Sequence, residues 1–182
     1  MVFGERRQDR RDERQERRDG DGAVHYRMRQ RLISIGDDSW IEDDAGQRVF
    51  KVDGKALRFR QTLHFEDVQG NMLLKIQERK LRLHDTMEIE DPDGRTVATV
   101  KKALVSPLRH RISVSIEDGP DLDVRGNILA HEYDIEADGA RVAGVSKRWF
   151  RIADTYGVEI APGQNDILLL AVTVVIDAMS HD

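Results

Sequence analysis

Residues 111–116 alternate strictly: Ile112, Val114 and Ile116 are apolar, and Arg111, Ser113 and Ser115 are polar. A similar alternation runs through Leu57, Phe59, Leu63 and Phe65 against Arg58, Arg60, Thr62 and His64. A period of two places one set of side chains inward and the other outward, so such stretches predict strands with one buried face. Turn chemistry punctuates them, at Asp43-Asp44-Ala45-Gly46, Val68-Gln69-Gly70-Asn71, Asp91-Pro92-Asp93-Gly94, Asp118-Gly119-Pro120 and Asp138-Gly139. Glycine accepts positive φ and proline presets φ, which is what tight turns require. Many short strands joined by short turns predict a β-sandwich or a barrel.

An internal repeat runs through the same region. Gly46, Gly70, Gly94 and Gly139 each open a similar strand. Four and six residues later stand Phe50 and Val52, Leu74 and Ile76, Ala98 and Val100, Ala143 and Val145. Basic residues follow: Lys55, then Arg79 with Lys80, Lys101 with Lys102, and Lys147 with Arg148. The spacing fits a turn-plus-hairpin unit used repeatedly in a meander. Any antiparallel sheet with glycine turns also produces some echo of this kind.

The C-terminus departs from the pattern. Gln164-Asn165-Asp166 leads into ILLLAVTVVID. Asn165 or Asp166 could cap a helix. The β-branched run at 172–176 favours strand by propensity, whereas the length of the apolar run favours helix. As a helix it is apolar on every side and must be enclosed all round.

Composition divides the chain in two. Residues 1–22 hold seven Arg and seven acidic residues, with Val2 and Phe3 the only apolar side chains after Met1. Such a segment cannot bury enough surface to offset its ordering entropy, so a disordered tail at 1–22 and a folded domain at 23–182 are expected. The tail's charges cancel, leaving the formal net charge of −5 to the body. A polyampholyte tail is no basic nucleic-acid arm, so no nucleic-acid partner is expected. It has no apolar core of the kind a secretion signal carries. The chain has no cysteine, which removes disulfides, thiol catalysis and Cys-based metal sites, and suits a reducing cytoplasm. The apolar run is shorter than the roughly 20 residues a membrane-spanning helix needs, so no transmembrane segment is expected.

Strands with D-x-x-G turns, followed by an aspartate-led apolar segment at the C-terminal end, resemble the LURP-one-related family. The stretches that carry the resemblance are Phe50-Lys51-Val52-Asp53-Gly54-Lys55, Leu74-Lys75-Ile76-Gln77-Glu78-Arg79-Lys80, Ile89-Glu90-Asp91-Pro92-Asp93-Gly94, Asp154-Thr155-Tyr156-Gly157-Val158, and Gln164-Asn165-Asp166 with the apolar run after it. They cover residues 24–178. The family shares the tubby C-terminal-like fold with the phospholipid scramblases. The resemblance therefore implies a mainly β domain: a closed antiparallel β-barrel of about a dozen strands around a central, hydrophobic C-terminal α-helix. It also implies a non-catalytic binding or adaptor module, whose ligand is an anionic phospholipid head group, phosphoinositide-like, or a protein partner. Such a module works in the cytoplasm, peripheral to a membrane where it meets lipid.

Candidate chemistry is sparse. Asp91-Pro92-Asp93-Gly94 opens like a calcium loop but lacks the further acidic ligand and the closing Glu, and reads as a turn. His131-Glu132-Tyr133-Asp134 has no second His nearby and reads as sheet surface. Ser146 follows Gly144 without a nucleophile elbow. There is no glycine-rich phosphate loop, and Trp40 and Trp149 read as core. No catalytic residue, metal or cofactor is assigned. The remaining signal is basic: Lys101 with Lys102, Arg109-His110-Arg111, and Lys147-Arg148 with Arg151. Tubby domains bind phosphoinositide head groups through basic residues on one barrel face. Lys101, Lys102, Lys147 and Arg148 sit at equivalent points after Gly94 and Gly139. They are the expected head-group residues, presented side by side if their hairpins are neighbours. The bland reading is that they are solvated outward positions of strands. The alternative of another class is an enzyme or small-molecule carrier with a pocket of its own.

Overall fold

The computed structural model describes residues 22–29, 38–57, 60–81, 84–106, 109–149 and 155–180. Twelve strands form one closed barrel in which chain neighbours pair antiparallel and β1 closes onto β12. They are β1 Val24–Arg29, β2 Ser39–Asp43, β3 Arg48–Leu57, β4 Arg60–Asp67, β5 Met72–Leu81 and β6 His84–Glu90. The wall continues with β7 Thr96–Ser106, β8 Arg109–Ile116, β9 Leu122–Asn127, β10 Glu132–Ala137, β11 Ala140–Ser146 and β12 Thr155–Ile160. A 3-10 turn, Lys147–Trp149, follows β11. The alternation at 57–65 belongs to two strands, since β3 ends at Leu57 and β4 begins at Arg60. Residues 58–59 between them lie outside the described residues, as do residues 1–21 of the charged tail.

The three 24-residue repeats are structural. In each, a five-residue connection runs from an Asp to the residue after the glycine. Gly46, Gly70 and Gly94 donate their N–H to the carbonyls of Asp43, Asp67 and Asp91 at 3.0–3.1 Å. The same aspartates accept the N–H of Gln47, Asn71 and Arg95 on their carboxylates at 2.8–2.9 Å. The glycines sit at φ 76, 84 and 83, a region that other residues enter at a cost. Just inside each turn the register slips by one residue, between Ile41/Glu42, Phe65/Glu66 and Ile89/Glu90. These bulges add local twist to the wall. The fourth glycine belongs to a different turn. Asp138 and Gly139 both have positive φ (51 and 79), which suits a two-residue hairpin.

Inside the barrel runs one helix, α1, Asp166–Ser180. Asn165 caps it, accepting the Leu168 N–H at 3.1 Å. Residues 169–179 of α1 are all buried. Strands on every side make packing outweigh the strand propensity of the β-branched run. The inward rows of the wall meet it, including Ile41, Phe65, Ile76, Ile89, Val100, Val114, Ile135 and Val158, and form one continuous core with Leu170, Val174 and Ile176. The odd-numbered strands leave the turns, so α1 enters from the turn end and its C-terminus lies at the opposite end. Among the described residues no helix is long and apolar enough to cross a bilayer.

Candidate functional site

The four expected head-group residues split into three environments. Lys101 and Lys102 are consecutive on β7, so they point to opposite faces. Lys101 is exposed on the outer wall. Lys102 follows Ala98 and Val100 on the inner face, and its Nζ donates to the Met179 carbonyl at the end of α1. A cation there satisfies an orphan carbonyl and complements the negative end of the helix dipole. Lys147 and Arg148 lie in the 3-10 turn, half-buried and exposed respectively. Arg148 Nε stands 3.7 Å from Glu132 Oε1. Strands β8, β9 and β10 separate β7 from β11, so the two basic pairs are not on neighbouring hairpins. At about 4.8 Å per strand, Lys101 is roughly 19 Å along the wall from β11. Of the remaining basic residues singled out, Arg111 is exposed on β8, while Arg151, grouped with Lys147 and Arg148, lies outside the described residues.

Several other cations of the described outer wall are paired with carboxylates. Arg27 faces Glu42, Lys51 faces Glu66 and Lys75 faces Glu90 across adjacent strands, with closest approaches of 3.3, 3.6 and 2.6 Å. Arg141 spans two strands, reaching Asp134 at 2.6 Å and Glu159 at 2.5 Å. Gly144 lies between those two carboxylates in the register, and a Cβ there would collide with the Arg141 guanidinium. His25, 5% exposed, stands 3.1 Å from Glu159 and 3.3 Å from Asp44. Burial pushes the Glu159 carboxyl up, but hydrogen bonds from Arg141 and His25 outweigh it and hold its pKa below the ordinary value.

Of His131-Glu132-Tyr133-Asp134, read from the sequence as sheet surface, His131 and Tyr133 lie instead in a polar layer of the lumen. His131, at φ 51, turns inward, and its Nε2 stands 2.6 Å from Asp177 Oδ1 on α1. Both side chains are buried. The His131 ring stacks on Tyr156 at 4.5 Å. Tyr133, 4% exposed, hydrogen-bonds Thr173 of the helix. Burial, then the Asp177 charge, raises the phenol pKa of both Tyr133 and Tyr156. Glu132, pointing the other way, accepts the Ser146 hydroxyl at 3.0 Å, so Ser146 serves the wall. The tryptophans are not core: Arg48 lies 4.8 Å over the Trp40 ring, and Trp149 meets His25 edge-on at 6.5 Å. Asp91 is a turn residue. Among the described residues no group of three or more His, Asp or Glu is placed to hold a metal ion.

A barrel threaded by its own C-terminal helix is the architecture that the resemblance implied. The sequence profile of the LURP-one-related family matches residues 24–177. The chain belongs to the LURP-one-related family. That match runs from the first residue of β1 to Asp177, the residue paired with His131, so it spans the whole barrel and nearly all of the helix. A crystal structure of a protein from Arabidopsis thaliana is similar in fold, with a TM-score of 0.65 and 17% sequence identity, covering 87% of this chain and 92% of that one. No curated protein matches the chain.

Proposed function

We propose that this LURP-one-related chain is a non-catalytic binding module whose outward-lying cations meet an anionic phospholipid surface, phosphoinositide-like in its head groups. The observation that carries the reading is the filled lumen. With α1 occupying the centre of the barrel, the outer wall and the rims are the surfaces left for a ligand, which argues against a lipocalin-like carrier. Lys101, Lys147 and Arg148 are the residues offered to the lipid, and Lys102 serves the helix end. The separation of Lys101 from the other two favours a surface of many head groups over a single head group held in one pocket. Near an anionic leaflet each cation contributes about 1 kcal/mol, so three give roughly 3 kcal/mol of salt-sensitive attachment. Charge at the contact decides, because the repulsion from a net −5 is screened beyond about 8 Å at physiological salt. Such a module is cytoplasmic and peripheral to the membrane.

Co-sedimentation with phosphatidylcholine vesicles containing a phosphoinositide tests the reading. The native chain should pellet at low salt, and a Lys101→Glu, Lys147→Glu, Arg148→Glu variant should stay in the supernatant. Native protein left in the supernatant at low salt removes the lipid role and makes a protein partner the ligand to seek.

A further inference from the structure

We propose that Arg111 and Arg125 form a binding site for a phosphate-bearing anion across an open seam between β8 and β9. The two strands pair at Val114↔Leu122 and Ser113↔Asp123 and then stop. Yet β8 reaches back to Arg109, and β9 runs on to Asn127. Continuing the register would set Ile112 opposite Val124, and then Arg111 opposite Arg125. Ile112 and Val124 are buried, so alternation sends both arginines outward, where they are 67% and 66% exposed. Like charges directly opposite on paired strands repel. The β1–β2 seam is as short, but its last pair sets Arg27 opposite Glu42; the like pair Asp123 and Glu136 on β9–β10 stays in register with Arg125 reaching Glu136, so what sets β8–β9 apart is that two cations would face each other.

Each arginine turns instead to a carboxylate. Arg111 Nη2 reaches Asp123 Oδ1 at 3.1 Å, and Arg125 Nε reaches Glu136 Oε2 at 3.1 Å. A guanidinium carries five N–H donors, so one such contact leaves most of the fork for another acceptor. Lys101 pairs with Ser113 on the neighbouring strand and adds a third cation beside two carboxylates. A phosphate group placed between the guanidiniums accepts from both forks and cancels the repulsion. Binding then favours closure of the seam, and closure favours binding. Gly126 sets the other side of this balance. At φ 129 it lets β9 press onto β10, where a Cβ would stand 2.5 Å from the Glu132 carbonyl oxygen.

The proposal goes beyond membrane attachment, because a soluble phosphate satisfies it. The test is a titration of the full, 15N-labelled chain, followed by amide NMR and hydrogen exchange. One arm adds inorganic pyrophosphate; a second adds phosphatidylcholine vesicles with or without a phosphoinositide. Pyrophosphate should shift the Arg111, Ser113 and Arg125 amides and slow exchange at Ile112 and Val124. Arg111→Gln with Arg125→Gln should weaken the response at least about tenfold, the equivalent of one charge-assisted hydrogen bond. The same variant should slow exchange at the seam without any anion, since the repulsion is gone. Response in both arms assigns lipid head groups as a source of the phosphate. Response to pyrophosphate alone assigns a soluble source, and leaves this site standing even where the vesicle-binding role fails. Native amides silent in both arms overturn the proposal. So does a double variant that responds as the native chain does or leaves seam exchange unchanged.

Discussion

His131 reaches Asp177 only because its backbone takes φ 51, a conformation that costs a non-glycine residue stability unless its surroundings enforce it. The compensation is a short, buried contact that joins the wall to α1. Removing one member of such a pair leaves the other desolvated, which is far more damaging than replacing both. His131→Ala is therefore expected to lower unfolding free energy by about 3–5 kcal/mol, measured by urea denaturation. Asp177→Asn keeps a hydrogen-bonding group and should cost less. On the outer wall the pH response runs through Glu159. Its pKa is depressed in the folded chain, so the stability it contributes is fully present above its unfolded value. That stability is lost as pH falls through the folded value. Thermal midpoints should decline below about pH 4.5, and Arg141→Gln should flatten that decline. The inward turn of His131 had a signal in the sequence, since His131, Tyr133, Ile135 and Ala137 share one phase of a two-residue period. The weight given to the polar types His, Glu and Asp hid it. Trp149 misled in the opposite sense, because an apolar ring suggests core while its position after β11 lays it over His25 on the outside.

At the scale of elements, turn chemistry and alternation were legible because each is local. The Asp and Gly of three turns recur every 24 residues and fold identically, bulge included. What is not local is closure. A hairpin's residues fix its own register, but no alternation pattern states that β1 pairs with β12. Nor does a repeat state which hairpins lie beside each other, which is why Lys101 and Lys147 were expected together and stand apart. The helix conflict shows the same limit. Propensity at 172–176 and run length pointed in opposite directions, and only enclosure by strands decides between them. Two substitutions test these elements by chemical denaturation. Leu170→Ala, at a fully buried position, should cost about 2–5 kcal/mol. Gly126→Ala combines a φ of 129 with a Cβ 2.5 Å from backbone oxygen and should cost more than about 1–3 kcal/mol, the usual strain of a disfavoured backbone conformation.

For the whole molecule, the lumen carries the core of the fold, and the outer wall is the surface proposed to meet partners. The tail at residues 1–22 has almost no apolar surface, so its deletion should leave the thermal midpoint nearly unchanged; a fall of many degrees would mean that it packs on the barrel. The helix is the opposite case. It supplies the centre of the core, the Asp177 partner of His131 and the carbonyl that holds Lys102, and its first turn holds Tyr26 through Asp166 at 2.7 Å. A twelve-stranded wall without it encloses unmatched apolar side chains. Truncation after Gly163, followed by size-exclusion chromatography and a thermal melt, addresses this directly. The expected product is insoluble or aggregated, with no cooperative transition. A soluble monomer that melts cooperatively would contradict the helix-filled barrel, and with it the assignment of binding to the outer wall.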